Sequence, residues 1–140
     1  MQVKIKLLRP EAKLPVYSRA GDAGLDLYSC EDYILQAGER HKFGLGFILE
    51  LPAGHVALIW DRGGMAANHG IHTLAGVVDS NYRGEVNAIL LNTSAEPYVI
   101  KTGDRIAQLL IQEHNTVEFQ EVDKLTDTER GEGAWFSSGR

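Results

Sequence analysis

At 140 residues the chain has the length of one domain, enough to bury a core without metal or disulfide staples. Its formal net charge of −5 argues against a nucleic-acid backbone or an anionic membrane as main partner, because either calls for a basic surface. The single cysteine, Cys30, cannot form an intramolecular disulfide, and neither a basic-then-apolar leader nor a membrane-length apolar run is read, so a soluble, cytoplasmic protein is expected.

Residues 2–8 alternate Val3, Ile5 and Leu7 with Lys4 and Lys6, the period of a half-buried strand. Pro10 and Pro15 make 9–19 a connection. In 20–29, AGDAGLDLYS, two glycines let the backbone pass close to something. Asp26, between Leu25 and Leu27, should point opposite to them, toward solvent or toward a site. From 33 to 62, strands at 33–35, 43–51 and 56–60 are separated by turns. That rhythm, with almost no helical periodicity, predicts an all-β antiparallel sandwich or barrel. One short helix is expected at about 64–68. Just before it, Asp61-Arg62-Gly63-Gly64 sets an arginine beside flexible backbone, which favours phosphate, although a glycine turn with a solvated arginine is the commoner arrangement.

The segment 76–86, GVVDSNYRGEV, reads as a hairpin of strand, turn and strand. Asp79, ending a buried-looking apolar strand, would be partly desolvated and rigidly held, which suits a general base. Tyr82 offers a flat face to a sugar or base, and Arg83 an anion-binding fork. The plainer alternative is a turn whose Asp caps, whose Tyr packs and whose Arg pairs with Glu85. Strands follow at 86–91 and 98–100. Lys101-Thr102-Gly103-Asp104 is a hairpin-type connection into 105–112, where IAQLLI is apolar on nearly both faces except at Gln108. Such a strand is covered by its own core on one side and by another subunit on the other. Residues 116–122 alternate again and predict a last strand.

The tail from Thr126 is of a different kind, so the chain divides into a β domain, 1–125, and a tail, 126–140. Its glycines and serines cannot build a packed element, yet Trp135 and Phe136 are too apolar to stand in water without reason. A mobile lid over a ligand, with Arg130 and the serines on anionic groups, and a tail docked on the body are both open. The five histidines show no metal-ligand spacing, and Cys30 reads as structural.

Five segments in order, AGLDLYS, DRGGMA, GVVDSNYRGEV, GDRIAQL and RGEGAWFSSG, resemble the five motifs of the trimeric dUTP pyrophosphatases, the dUTPases. The resemblance implies a jelly-roll β fold and a homotrimer whose three sites each draw on all three chains. It also implies hydrolysis of dUTP to dUMP and pyrophosphate with Mg2+. By that resemblance Asp79 is the general base and Tyr82 stacks under the deoxyribose. The backbone around Leu74, Gly76 and Val78 reads uracil. Asp26 holds hydrated magnesium through water, while Arg62, Gly63, Gly64 and Gln108 meet phosphate. From the tail, Arg130 meets the γ-phosphate, Trp135 covers uracil, and Ser137 and Ser138 contact terminal phosphate.

The departures are specific. Where the family usually has Pro-Arg-Ser-Gly, Asp61-Arg62-Gly63-Gly64 lacks the serine hydroxyl, a type of contact whose loss costs ~10²–10³ in rate. Ala134-Trp135-Phe136 is bulkier than the usual Gly-Gly-Phe-Gly, and Asn81 replaces a common aspartate. Besides a working dUTPase, two other readings follow: a non-catalytic relative that trimerises and binds nucleotide as a scaffold, and a dCTP deaminase or dCTP/dUTP enzyme on the same fold.

Overall fold

The computed structural model describes residues 1–134. Short β-rich runs broken by glycine and proline turns give eleven strands. They are β1 (Lys4–Leu7), β2 (Leu25–Tyr28), β3 (Tyr33–Leu35), β4 (Arg40–Gly44), β5 (Phe47–Glu50) and β6 (His55–Trp60), then, after one helix, β7 (Ile71–Leu74), β8 (Val77–Asp79), β9 (Asn87–Asn92), β10 (Tyr98–Ile100) and β11 (Arg105–Glu113). The helix, α1 (Gly63–His69), is seven residues long; buried Met65 anchors it, and Gly70, left-handed at φ 65°, ends it.

All pairings are antiparallel. One sheet has the order β2-β11-β6-β8 and another β4-β9-β7, with β1 on β5 and β10 on β3 as separate pairs. The sheets close on a continuous core that includes Phe43, Phe47, Leu27, Leu90, Ile106 and Leu109. This is the all-β, jelly-roll-like sandwich expected, and no described helix is long and apolar enough to cross a membrane.

The details differ from the sequence reading in four places. Residues 43–51 are two strands rather than one. Gly46, at φ 73°, turns the chain from β4, paired with β9, to β5, paired with β1, and a Cβ there would sit 2.6 Å from Ala12 Cβ. Segment 76–86 is not a hairpin, because β8 pairs with β6 while β9 joins β4 and β7 in the other sheet. The 101–104 turn likewise changes sheets, from β10 on β3 to β11 between β2 and β6. Residues 116–122 form no strand and are exposed throughout, Phe119 at 93%. Their alternation is real, but they meet no sheet edge among the described residues.

Register gives the four-stranded sheet two distinct faces. Asp26 lies opposite Gln108, Gln108 opposite Trp60, Leu58 opposite Val77 and Val56 opposite Asp79. Cross-strand partners share a face, so Asp26, Gln108, Trp60, Leu58, Val77 and Asp79 all stand on one side. Ala57, Ile59, Ala107, Leu109 and Leu27 take the other side and are buried in the core. The outer side is left partly bare, with Trp60 55% and Val77 68% exposed.

Candidate active site

The proposed site residues of the β domain gather into two cavities. The first, about 210 Å³, includes Leu74, Gly76, Val78, Asp79 and Tyr82 in its lining. Gly76 closes against β6, its carbonyl accepting from Ile59 N–H at 2.8 Å. At φ 111°, with Ile59 O only 2.7 Å from where a Cβ would stand, only glycine fits comfortably. Ala75 beside it is the one described non-glycine residue with positive φ, 60°. The backbone here is therefore bent away from a regular ladder. Past β8, Tyr82 N–H donates to Asp79 O at 3.1 Å, closing the turn. The Tyr82 ring lies across Gly84, where a Cβ would meet Tyr82 Oη at 2.2 Å, and its hydroxyl donates to Glu85 O at 3.2 Å.

Asp79 departs from expectation: it and Val77 are exposed, so this chain alone does not desolvate the carboxylate. The short β8 is an edge strand whose outer face no described residue covers. Arg83 donates to the carbonyls of Ser80 at 2.7 Å and Tyr82 at 2.9 Å, rather than pairing with Glu85, which takes Arg9 and the Gly46 N–H instead.

The second cavity, about 540 Å³, is polar and holds Asp26, Arg62, Gly63, Gly64 and Gln108. Asp26 is 9% exposed, and it points into this cavity rather than to bulk solvent. Ser18 donates to one of its oxygens, Arg105 reaches the same oxygen at 3.2 Å, and Arg62 Nε stands 3.4 Å from the other. Burial pushes this carboxyl up. The Ser18 hydrogen bond and the charges of Arg105 and Arg62 outweigh it and hold the group below the ordinary aspartate value of 3.8.

Gln108 is seated by two neighbours: its Nε2 donates to Asp61 O at 2.6 Å, and its Oε1 lies where Gly24 has no Cβ, 2.2 Å from the position one would take. Gly63 and Gly64 have open space within 4 Å of their missing Cβ atoms.

Three contributors escaped sequence reasoning. Arg105 and Ser18 surround Asp26; their signal was no more than a turn arginine and a loop serine. Asp61 takes the place of the usual proline and ties the β6–α1 corner to β7. Its Oδ1 accepts from Thr73 N–H at 2.5 Å and Thr73 Oγ1 at 2.6 Å, and its Oδ2 lies 2.7 Å from His72 Nδ1. Burial raises this carboxyl too, but the Thr73 and His72 contacts win and leave it low. His72 thus has an acidic partner, although no group of three metal-ligating side chains occurs among the described residues. Burial pushes the Cys30 thiol up, against a weaker pull from Arg9, in keeping with a structural cysteine.

A family model described as dUTPase matches residues 10–139. The chain belongs to the dUTPase family. The deoxyuridine 5'-triphosphate nucleotidohydrolase of Nautilia profundicola is 44% identical over 142 residues, covering all of both proteins. That of Thermobifida fusca is 45% identical over 99% of this chain and 79% of its own length. Among solved structures, a mutant of the phage 80alpha dUTPase superposes with a TM-score of 0.91 at 26% identity, over 98% of each chain. Another mutant of the Staphylococcus bacteriophage 80alpha dUTPase, solved with dUpNHpp, gives 0.89 at 25% identity over 99% of each.

Within this dUTPase chain the two cavities lie apart. Asp26 and Asp79 sit on the outer strands of the β2-β11-β6-β8 sheet, registered to opposite ends of β6, Trp60 and Val56. Three strand spacings and four residues of rise separate them by roughly 20 Å. In the tail, Arg130 Nε donates to Gly133 O at 2.8 Å, closing a local turn. Trp135, Ser137 and Ser138 lie outside the described residues.

Proposed function

We propose that the protein hydrolyses dUTP to dUMP and pyrophosphate with magnesium, as a homotrimer in which each site joins parts of different chains. The observation that carries this reading is the separation of roughly 20 Å between the Asp79 and Asp26 cavities on one sheet face. A general base must come within hydrogen-bond reach, or one water, of the proton it takes. Asp79 of one chain therefore serves phosphates held by Arg62 and Gln108 of another. The half-bare outer face carrying Trp60 and Val77, continuous with both cavities, is the kind of surface a second subunit covers, and closure over β8 would desolvate Asp79.

In this reading uracil enters the smaller cavity, read by backbone groups at 74–78, and Tyr82 supports the deoxyribose. Asp79 takes a proton from water as its oxygen bonds to the α-phosphorus, and the bond to the bridging oxygen breaks toward pyrophosphate. Arg62 and Gln108 hold the phosphate chain. The donor set fits magnesium only as an ion carried largely by phosphates and water. Asp26 is the central carboxylate, its oxygens already engaged by Ser18, Arg62 and Arg105, so it would act through the ion's water shell. Bound there, the ion would neutralise charge on the phosphates. The tail, 126–140, closes as a lid in which Arg130, Trp135, Ser137 and Ser138 cover the nucleotide.

Subunit mixing tests the shared site. Asp79→Asn and Arg62→Ala homo-oligomers are each expected to be inactive; co-refolded in equal amounts, they should recover about a quarter of the parental dUTP turnover. No recovery in a verified mixed oligomer, or sedimentation as a monomer, would overturn the shared site. Parallel assays with dCTP separate hydrolysis of dUTP from deamination, and binding of dUpNHpp without turnover would identify a scaffold.

A further inference from the structure

We propose that Arg19, in the loop before β2, is a further phosphate-binding residue of the dUTP site and takes over part of the role left open by Gly63; this rests on the activity proposed above. Arg19 lines the polar cavity together with Arg62 and Arg105. The other two arginines are committed: both pair with Asp26, and Arg62 also donates to Arg105 O at 3.1 Å. The guanidinium of Arg19 makes no hydrogen bond or ion pair with any described residue. Asp22, the other carboxylate of the cavity, turns one oxygen to the Arg19 backbone N–H at 2.8 Å rather than to its side chain.

The loop nevertheless holds Arg19 in place. Asp22 N–H donates to Arg19 O at 3.2 Å, Asp26 N–H to Val16 O at 2.8 Å, and Ser18 to the Asp26 carboxylate. The backbone beneath Arg19 is thus fixed on both sides, and only its side chain remains to be ordered by a ligand. Three arginines against two carboxylates give the cavity a positive balance in a chain of net charge −5, so an anion is the ligand it suits. In the same cavity Gly63 contributes no side chain and leaves its surroundings open. A free planar guanidinium lining that cavity can give two parallel hydrogen bonds to a phosphate, where a serine gives one.

Arg19 is exposed and unpartnered, so its removal should leave the fold intact. The test measures dUTP turnover, and calorimetric binding of inorganic pyrophosphate and of dUMP, for the parent, Arg19→Ala, Arg19→Lys, Gly63→Ser and the Arg19→Ala/Gly63→Ser double variant. Arg19→Ala is expected to raise the KM for dUTP and weaken pyrophosphate about tenfold, with dUMP binding unchanged. Arg19→Lys should recover part of both, and the loss on removing Arg19 should shrink when Gly63 is serine. An Arg19→Ala protein with parental KM and pyrophosphate affinity would overturn the proposal, and strict additivity with Gly63→Ser would overturn the shared role. A parent that turns over no dUTP would refute the underlying activity instead, a result read from the parent alone.

Discussion

The cavity beside β8 is walled by backbone and apolar side chains, whereas the one between β2, β11 and α1 is walled by paired charges. The first offers shape: a bent backbone at Ala75 and Gly76, and a tyrosine locked over Gly84. The second offers charge: a carboxylate clamped by two arginines, and an amide clamped by a carbonyl. A base presents a flat edge with fixed donors and acceptors, which rigid backbone discriminates well. A triphosphate presents mobile charge, which guanidinium groups follow better. Each half is preorganised by its own strand pairings, and in the proposed reading the bond to be broken lies at neither cavity alone.

The strongest way to break the comparison is at the smaller cavity's chemistry. Asp79→Asn is expected to lower pyrophosphate release by about 10²–10⁴-fold while leaving dUMP binding almost intact, measured by a coupled phosphate assay and calorimetry. Loss of dUMP affinity to the same degree would instead make Asp79 a binding group. Next, Gly76→Ala forces a Cβ to 2.7 Å from Ile59 O at a left-handed φ. It should cost about 1–3 kcal/mol of stability in a thermal melt and weaken dUMP far more than pyrophosphate.

At the polar cavity, Gly63→Ser adds a hydroxyl into open space and should raise kcat by about tenfold or more, with little change in melting temperature. Unchanged turnover would mean that the missing hydroxyl is fully replaced by other groups. A smaller effect is expected of Asp61→Ala, which frees the corner that orients Gln108. The KM for dUTP should rise several-fold and stability fall by about 1–2 kcal/mol, with pyrophosphate binding weakened before dUMP binding.

The smallest effect concerns pH. The folded value of Asp26 is depressed, so its contribution to stability is full above the ordinary aspartate value of 3.8 and is lost as pH falls through the lower folded value. Melting curves from pH 7 down to about 3 should show that loss in the parent but less of it in Asp26→Asn.

Legibility followed locality. β-branched runs and punctuating glycines placed most strands, and α1 was expected within a residue of its observed start and end. The fate of each turn was not legible, because a turn looks the same whether its strands pair with each other or diverge to different sheets. Segment 76–86 is the case in point: its residues suit a hairpin, but β9 finds β4 and β7 instead. The environment of Asp26 was equally hidden, since Ser18 and Arg105 reach it across 8 and 79 residues of chain.

By itself the sequence determined the family, the all-β class and the set of candidate site residues, because motifs and strand periodicity are local properties. Only the tertiary structure decided that these residues divide into two cavities, that Asp61 ties the β6–α1 corner to β7, and that Arg19 lines the polar cavity without a side-chain partner among the described residues. Those outcomes depend on which strands pair and in what register, and register is set by packing across the whole chain.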